Sequence, residues 1–423
     1  MTNPRLTCAK IVQKIIEEKV FFGDLKSQIS EKDLPFCNML ILTVLRHLMA
    51  LKTILNSFLS KKIPHKHRLA EYLLLSAVAE LLYMQTAEYA VINETVKTIR
   101  NTCDKFLGGM ANAVLHKVSI QKIALRQKAE KILPLPDSFM DILQDYTPQQ
   151  ISKIAQSVLQ IPPLDITVKD NPQMWAQKMN AEILPNGSLR LYNAPKVHTL
   201  PEYAAGKWWV QDVAASLPVK AMGDVRGKKI LDLCAAPGGK TAQLLANGAI
   251  VTALDISAVR LSKLQQNMAR LGFSDVQTIA IDALEYLQKT NKEYDAILLD
   301  APCSATGTFR RHPEVLHIKN QTDVAEQAKL QKNLLSACEK ALKIGGILIY
   351  SVCSISQTEG EHQIAQFIKE NPHFKIVPIT PDTIGLWQDA LILSDGTVRT
   401  LPYYADTQKG MDSFFICKMQ RII

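Results

Sequence analysis

The sequence predicts a multidomain α and α/β protein, in which an all-helical N-terminal domain precedes a domain built on a doubly wound parallel sheet. In residues 4–132, apolar side chains recur at three- and four-residue steps, which is typical of amphipathic helices. From Lys228 onward, short β-branched runs alternate with helical patterns, which indicates parallel strands with helices on both faces.

The composition is that of a globular protein, with 423 residues, of which 47% are hydrophobic and 21% charged. The most apolar stretch, Met39–Leu55, contains Arg46, His47 and Lys52, so we expect no membrane-spanning segment. The N-terminus lacks an apolar region followed by a small-residue cleavage site. We therefore expect a cytoplasmic protein without a membrane partner.

The cysteines and histidines do not indicate a metal site. The 8 cysteines are scattered without a Cys-x-x-Cys pair, and the histidines form no ligand-spaced cluster with acids or cysteines. We expect no metal, no disulfide framework, and mostly buried apolar thiols.

The positive charge lies in the first third of the chain. Residues 1–133 hold 20 Lys or Arg against 11 Asp or Glu, and residues 134–423 hold 29 against 29, so the whole excess of +9 is N-terminal. A basic module favours a polyanionic partner such as nucleic acid, although a solvated basic face has the same composition. The densest basic cluster comprises Lys61, Lys62, His65, Lys66, His67 and Arg68.

Breaks in the patterns predict three domains. The segment Leu133–Asp137 contains two prolines that end the helical region. A helix over Pro148–Leu159 and strands over Leu164–Val168 and Ser188–Tyr192 then indicate a small connecting subdomain. The predicted domains are 1–133, 138–215 and 216–423.

The predicted sheet of the last domain has strands separated by helices. The helices include Val259–Leu271 and Val324–Leu342, and the strands are Lys229–Leu233, Ile250–Leu254, Val276–Ile281, Tyr294–Leu299 and Gly346–Tyr350. Ligands of such sheets bind at the carboxyl ends of the strands.

The segment Ile230–Thr241 is a strand, a glycine-containing turn and the start of a helix, which is the general nucleotide site of this architecture. It lacks the spacing of a P-loop, so ATP hydrolysis is not expected. Asp255 and Asp282 end the next two strands, where they are candidates for contacts with ribose hydroxyls and an adenine amino group. The alternative is that each aspartate only caps the following helix.

Cys303 and Cys353 both fall at carboxyl ends of predicted strands, and Asp300 precedes the first of them. A single cysteine at such a position is more often a packing residue. Two cysteines beside a carboxylate favour the hypothesis that one of them is a nucleophile as much as they favour packing. Cytosine C5 becomes nucleophilic only after a thiolate adds to C6, and a later elimination has a use for a base or second thiol. The residues by themselves leave the roles of the two thiols open.

Residues 228–417 resemble the Sun/Fmu (RsmB-like) family of S-adenosylmethionine-dependent RNA cytosine-C5 methyltransferases, which have a Rossmann-like fold. The segments that carry the resemblance are Cys234–Thr241, Asp300–Gly307, Arg310–Pro313, Tyr350–Ser354 and Gly410–Phe415.

The resemblance implies a role for each matching residue. Asp255 is expected on the ribose, Asp282 at the adenine, and Asp300 near the methionine end of the cofactor and the target base. Cys353 is implied to attack C6, and Cys303 to assist elimination and product release. The cofactor is expected to lie against Cys234, Ala235, Ala236, Pro237, Gly238, Gly239 and Lys240. The family commonly has Thr where this chain has Val352.

The N-terminal domain resembles the NusB antitermination fold through Glu88–Val96 and Gly109–Leu115. NusB-like domains bind RNA, and the fusion resembles the bacterial arrangement that acts on 16S ribosomal RNA. The implied partner is 16S RNA, either naked or in an assembling small subunit. We interpret Asn93 and Asn112 as packing and capping residues of the helical bundle rather than RNA contacts.

Three further features also carry predictions. Trp208 and Trp209 favour packing over the stacking of unpaired bases. Lys240 is predicted to pair with Asp300 across neighbouring strand ends and to hold the target cytosine. His312 is a candidate phosphate or base contact, with a solvated loop as the alternative.

The sequence favours a methyltransferase that modifies C5 of a specific cytosine in small-subunit ribosomal RNA. One alternative is the same reaction on tRNA or DNA, and in a DNA enzyme Cys303 of the Pro-Cys dipeptide would be the nucleophile. The other is a non-catalytic RNA-binding factor of antitermination type, for which decay of the motif positions is expected. Both cysteines and all three strand-end aspartates are present.

Overall fold

The computed structural model describes residues 3–291, 294–387, 389, 391–405 and 408–423. Contacts divide the chain into two compact units, one with residues 1–160 and 309–320 and the other with residues 161–308 and 321–423. These units are groups of residues that contact one another, and they do not define independent domains. The domain limits 1–133, 138–215 and 216–423 therefore stay predictions. Helices and strands are labelled in chain order through both units.

The first unit is helical, as predicted. Its helices are α1 (Pro4–Glu18), α2 (Phe22–Leu25), α3 (Leu34–Arg46), α4 (Leu48–Phe58), α5 (Arg68–Tyr83), α6 (Glu88–Thr102), α7 (Lys105–Ile120), α8 (Lys122–Glu130), α9 (Asp137–Met140), α10 (Pro148–Val158) and α16 (Val315–Ile318). Helix α1 shows why the local sequence begins a helix. Asn3 caps it by accepting hydrogen bonds from the backbone amides of Arg5 and Leu6, and Pro4 occupies the first helical position.

The core of this unit is formed by the apolar faces of its helices, with α5 buried along nearly its whole length. Among the described residues, no individual helix is long and apolar enough to span a membrane, although α3 and α4, bent by 78°, meet the criteria of length and composition as a pair. Many of their apolar side chains, including Leu40, Ile41, Leu51 and Ile54, are buried in the core.

The interpretation of Asn93 and Asn112 as packing and capping residues is wrong. Both lie in the middle of helices, in α6 and α7, and both side chains are exposed. The helical pattern placed them correctly on helices, but it did not fix which face of each helix is covered.

The helices of the second unit are α11 (Pro172–Met179), α12 (Val213–Met222), α13 (Gly239–Ala246), α14 (Ala258–Arg270), α15 (Ala283–Lys289), α17 (Gln321–Ala341), α18 (Glu361–Glu370) and α19 (Pro381–Ile384). Its strands are β1 (Leu164–Val168), β2 (Glu182–Ile183), β3 (Leu189–Leu191), β4 (Trp208–Val210), β5 (Lys229–Leu233), β6 (Ile250–Asp255), β7 (Gln277–Ala280), β8 (Tyr294–Asp300), β9 (Leu342–Val352), β10 (Phe374–Ile376), β11 (Val398–Arg399) and β12 (Phe415–Arg421).

Strands β5 to β12 form the large sheet in the order β10-β12-β9-β8-β5-β6-β7, and β11 pairs with β12. The central pairs β9-β8, β8-β5, β5-β6 and β6-β7 are parallel, and β12 runs antiparallel to β9. This confirms the predicted α/β architecture with helices between the strands. The first four strands form a separate antiparallel sheet in the order β2-β3-β1-β4.

The register of the large sheet brings the predicted site residues to one edge. Asp300, the last residue of β8, is paired with Ser351 near the end of β9. Asp255 ends β6, and the turn after β5 lies between these two strand ends. The carboxyl ends of four neighbouring parallel strands therefore surround a common region, where ligands of such sheets bind.

Candidate active site

The predicted strand, turn and helix around residues 230–241 are present. Cys234 follows β5 with a φ of 59°, and α13 begins at Gly239. Gly238 has a φ of 100°, and a Cβ atom there would lie 2.8 Å from the side chain of Leu264. Glycine is therefore required both by the backbone conformation and by the close approach of α14.

Asp255 ties this turn to the end of β6. Its carboxylate accepts hydrogen bonds from the backbone amides of Ala236 at 3.2 Å and Ser257 at 3.0 Å. Arg260 approaches the same carboxylate at 3.5 Å, and Asp255 is only 2% exposed. The alternative that Asp255 caps the following helix is wrong, because Ser257 is the N-cap of α14. Asp255 instead ties the glycine-containing turn to the end of β6, and its contact with ribose stays a prediction.

Asp282 caps helix α15. It accepts a hydrogen bond from the backbone amide of Glu285 at 3.0 Å, which confirms the capping alternative considered from the sequence. A contact with adenine uses other lone pairs of the same carboxylate and stays a prediction.

Asp232, in the middle of β5, is an ionisable residue that the sequence analysis did not single out. Its carboxylate is completely buried and accepts a 2.6 Å hydrogen bond from Thr241 Oγ1 in the first turn of α13. Burial, helped by the negative charges of Asp300 and Asp255, raises the pKa of Asp232 to about 7. The available signal was one acidic residue among the apolar residues Ile230, Leu231 and Leu233 of β5.

The ion pair predicted between Lys240 and Asp300 is present, with 2.7 Å between Nζ and Oδ2. The other carboxylate oxygen of Asp300 accepts a hydrogen bond from Ser351 Oγ at 2.9 Å. The Lys240 ammonium also lies 5.1 Å from the centre of the Phe414 ring. A cation and an anion are thus fixed side by side at the strand ends.

Cys303 and Cys353 face each other, with 3.3 Å between their sulfur atoms. Cys303 lies in the loop after β8 and Cys353 directly follows β9, so their contact results from the parallel pairing of these strands. Both residues are partly buried. The hydrogen bond with Cys353 and burial raise the pKa of the Cys303 thiol well above its ordinary value.

Cys234 is unsuited to nucleophilic chemistry. Burial and the negative charges of Asp300 and Asp255 raise the pKa of its thiol to about 12. A neutral thiol is a poor nucleophile, so Cys234 is a structural residue of the turn.

A buried polar network lies behind the two cysteines. Its centre is the carboxylate of Glu359, which contacts Ser304, Ser354 and Gln331. Neither Glu359 nor Gln331 was predicted as a site residue, because neither is adjacent to a cysteine in the chain.

Burial distinguishes the remaining candidate RNA-contacting residues: the two tryptophans are buried, whereas His312 and the lysines of the basic cluster are exposed. Trp208 and Trp209 are buried, and their indole nitrogens donate to Pro201 O and Gln211 Oε1, which confirms packing rather than base stacking. In the helical unit, His312 has a side chain that is 58% exposed and lies 3.5 Å from Glu314. The residues Lys61, Lys62, His65 and Lys66 are exposed between α4 and α5.

A parallel sheet with one antiparallel strand, a glycine turn after β5 and acidic strand ends define the second unit as an S-adenosylmethionine-dependent methyltransferase. Residues 220–420 match the family described as 16S rRNA methyltransferase RsmB/F, and residues 2–119 match the NusB family. A ribosomal RNA small subunit methyltransferase B from Citrobacter koseri is 33% identical over 441 residues, covering 99% of this chain and 98% of that protein. The chain therefore belongs to the RsmB/F family of methyltransferases.

Two solved structures share the fold. PH0851 is 19% identical with a TM-score of 0.76, and the alignment covers 100% of both chains. A methyltransferase homolog protein from Pyrococcus horikoshii is 27% identical with a TM-score of 0.53, covering 68% of this chain and 100% of that one.

Proposed function

We propose that this chain methylates C5 of a specific cytosine in small-subunit ribosomal RNA, through a covalent bond between Cys353 and C6 of the base. The observation that carries the proposal is the pair of thiols 3.3 Å apart, at the strand ends that also hold the Lys240–Asp300 ion pair. The relative from Citrobacter koseri, named for small-subunit ribosomal RNA, supports the choice of substrate.

A cysteine serves this reaction because cytosine C5 is otherwise a poor nucleophile. Addition of the Cys353 thiolate to C6 makes C5 enamine-like and able to attack an electrophilic carbon. When bound, S-adenosylmethionine would supply that carbon as a methyl group, with S-adenosylhomocysteine as the leaving group. A base then removes the C5 proton, the electron pair restores the C5–C6 double bond, and the Cys353 sulfur leaves as a thiolate.

The environment of the two thiols supports Cys353 as the nucleophile. The raised pKa of Cys303 means that this thiol keeps its proton beside Cys353. A protonated Cys303 donates a hydrogen bond to the neighbouring sulfur and so stabilises the thiolate when it leaves. Cys303 therefore fits the role of assisting elimination and product release.

The residues around the glycine turn fit the cofactor. A carboxylate has about four acceptor sites, and the two amide hydrogen bonds to Asp255 leave capacity for ribose hydroxyls. We assign Asp255 to the ribose, Asp282 to the adenine and the backbone of residues 234–240 to the face of the cofactor. Lys240 and Asp300 then lie between the cofactor and the target base, where they hold the polar edge of cytosine.

The helical unit is proposed to supply RNA affinity. It contains the segment with the entire charge excess, and the exposed Lys61, Lys62 and Lys66 lie in one loop. Neutralisation of phosphates by such side chains gives affinity that depends strongly on salt.

The cysteines provide the direct test, since the nucleophile acts before methyl transfer and the assisting thiol after it. With labelled RNA and S-adenosylmethionine, Cys353→Ala is expected to give neither adduct nor product on a denaturing gel. Cys303→Ala is expected to stall as a denaturant-resistant protein–RNA adduct. The reverse pattern would indicate the DNA-enzyme arrangement, and absence of adduct from both variants would contradict covalent catalysis.

Bisulfite sequencing tests the substrate. Ribosomal RNA from a strain that lacks this protein is expected to lose one methylated cytosine in the small-subunit RNA, with restoration by the wild-type gene. Unchanged ribosomal RNA together with a lost signal in tRNA or DNA would support the alternative substrates. No change in any nucleic acid would favour the non-catalytic binding factor.

A further inference from the structure

Glu359 is a completely buried carboxylate six positions after Cys353, in the turn that precedes α18. In the described part of the chain it forms no salt bridge, and its hydrogen-bond donors are all neutral. Because a polar group is costly to bury without hydrogen bonds, its four donors indicate a site built around this side chain.

The two oxygens of Glu359 connect the loops that carry the two cysteines. Oε1 accepts from the backbone amide of Ser304 at 2.9 Å, and Oε2 accepts from the hydroxyls of Ser304 and Ser354. These serines directly follow Cys303 and Cys353 in the chain. The same carboxylate thus holds the residue after each cysteine.

Gln331, on α17, extends the connection to the other side of Cys303. Its amide nitrogen donates to Glu359 Oε1 at 2.9 Å and to the carbonyl of Pro302 at 2.8 Å. The residues on both sides of Cys303 are therefore held, directly or through Gln331, by one buried carboxylate.

We infer that Glu359 is a positioning residue that holds Cys303 against Cys353, and this inference rests on the proposed function of the two thiols. Its effect on the cysteines is unequal. Cys353 continues β9, which is hydrogen-bonded to β8 on one side and β12 on the other. Cys303 lies in irregular backbone, where Ser304 donates two hydrogen bonds to Glu359.

Loss of Glu359 therefore affects the step that needs Cys303. Glu359→Ala removes the acceptor for four donors, so the Cys303 loop shifts while Cys353 keeps its place at the end of β9. The variant is expected to attack the RNA and transfer the methyl group but to release product about tenfold or more slowly. It should accumulate the same denaturant-resistant adduct as Cys303→Ala, with unchanged affinity for S-adenosylmethionine.

Glu359→Gln is the conservative variant. Its amide oxygen still accepts from the Ser304 amide and from Gln331, and its NH₂ group faces two hydroxyls that accept as well as donate. We expect it to restore turnover and remove the accumulated adduct. A role confined to general stability does not predict this separation of adduct formation from product release.

The experiment compares adduct on denaturing gels, product turnover and calorimetric cofactor affinity in the full chain. Glu80→Ala is the matched control, because Glu80 is also completely buried but pairs with Arg5 in the helical unit. It is expected to lower stability without accumulating adduct. Ser304→Ala, which removes one donor to Glu359, is the milder second variant and is expected to accumulate a smaller amount of adduct.

Each result decides the inference. The inference is supported if Glu359→Ala accumulates the adduct and Glu359→Gln does not. If Glu359→Ala does not fold, partial accumulation of the adduct in Ser304→Ala supports the inference. Wild-type turnover in Glu359→Ala overturns the inference. If only Ser304→Ala folds, wild-type turnover in that variant overturns it. The inference is also overturned if Glu359→Ala loses both the adduct and its affinity for S-adenosylmethionine. If Cys303→Ala itself gives no adduct, the proposed role of the thiols fails, and the role of Glu359 fails with it.

Discussion

Asp232 makes the stability of the second unit depend on pH. The free energy of unfolding falls as pH rises, which is unusual for an aspartate. Its carboxylate is completely buried in β5, and Thr241 is its hydrogen-bond donor. In the described structure the other oxygen, Oδ1, has no hydrogen-bond partner. Burial raises the pKa of Asp232 from 3.8 to about 7, so the folded protein keeps a proton that the unfolded chain releases.

The sign and size of the effect follow from proton linkage. Below about pH 4 both states carry the proton, and the protonated group contributes its full stability. Between about pH 4 and pH 7 the unfolded chain binds fewer protons, so the free energy of unfolding falls as pH rises, and above pH 7 the loss is complete. One pKa unit corresponds to about 1.4 kcal/mol, so a pKa moving from 3.8 to about 7 gives a loss of about 4 kcal/mol.

The perturbation is Asp232→Asn, which retains an oxygen acceptor for Thr241 but has no proton to lose. We expect the free energy of unfolding of the variant, relative to wild type, to rise by about 4 kcal/mol between pH 4 and pH 8. Carboxylates far from Asp232 contribute equally in both proteins and cancel in this difference. An amide NH₂ at the position of Oδ1 adds an offset that is independent of pH.

Urea unfolding followed by tryptophan fluorescence measures this difference in the second unit, which contains Asp232. All 4 tryptophans, Trp175, Trp208, Trp209 and Trp387, belong to the second unit. Asp275→Asn, at an exposed position, is the matched control and is expected to show no comparable pH dependence. Parallel curves for wild type and Asp232→Asn from pH 4 to pH 8 would refute the reasoning, because they would mean that Asp232 ionises equally in both states.

The remaining predictions concern binding. Asp255→Ala should weaken S-adenosylmethionine binding about tenfold to a hundredfold, because a hydrogen bond to a charged acceptor contributes about 1.5 to 3 kcal/mol. Calorimetry measures this, and affinity close to wild type would contradict the assignment to ribose. Replacing Lys61, Lys62 and Lys66 with Gln should weaken RNA binding and reduce the slope of log affinity against log salt by about 0.7 to 0.9 for each phosphate that is no longer neutralised. Titrations at several salt concentrations measure the slope, and an unchanged slope would identify the cluster as a solvated loop.

The sequence predicted much of the catalytic edge because its signals are local. Strands β1 and β5 were predicted residue for residue, and β6, β7, β8 and β9 were placed within a few residues of their observed bounds. Strands β10, β11 and β12 of the large sheet were not predicted. Since neighbouring parallel strands end at the same edge, the approach of Lys240 to Asp300 also followed from the order of motifs.

Sequence-based predictions were wrong or absent where the result depends on which helix and strand surfaces are buried in the folded protein. Asn93 and Asn112 were assigned to packing because both helices were recognised, yet the bundle leaves both side chains exposed. The segment 309–320 follows a strand of the large sheet in the chain, but it packs with the helical unit, where His317 Nε2 lies 2.7 Å from Leu45 O.

The sequence by itself determined the fold class, the family and the positions of both cysteines, because periodicity and motif spacing are properties of short segments. Tertiary structure decided which distant groups meet and how far each is removed from water. It brought Glu359 and Gln331 behind the cysteines and raised the pKa of Asp232 through burial. These properties depend on contacts between residues far apart in the chain, and local sequence patterns do not encode such contacts.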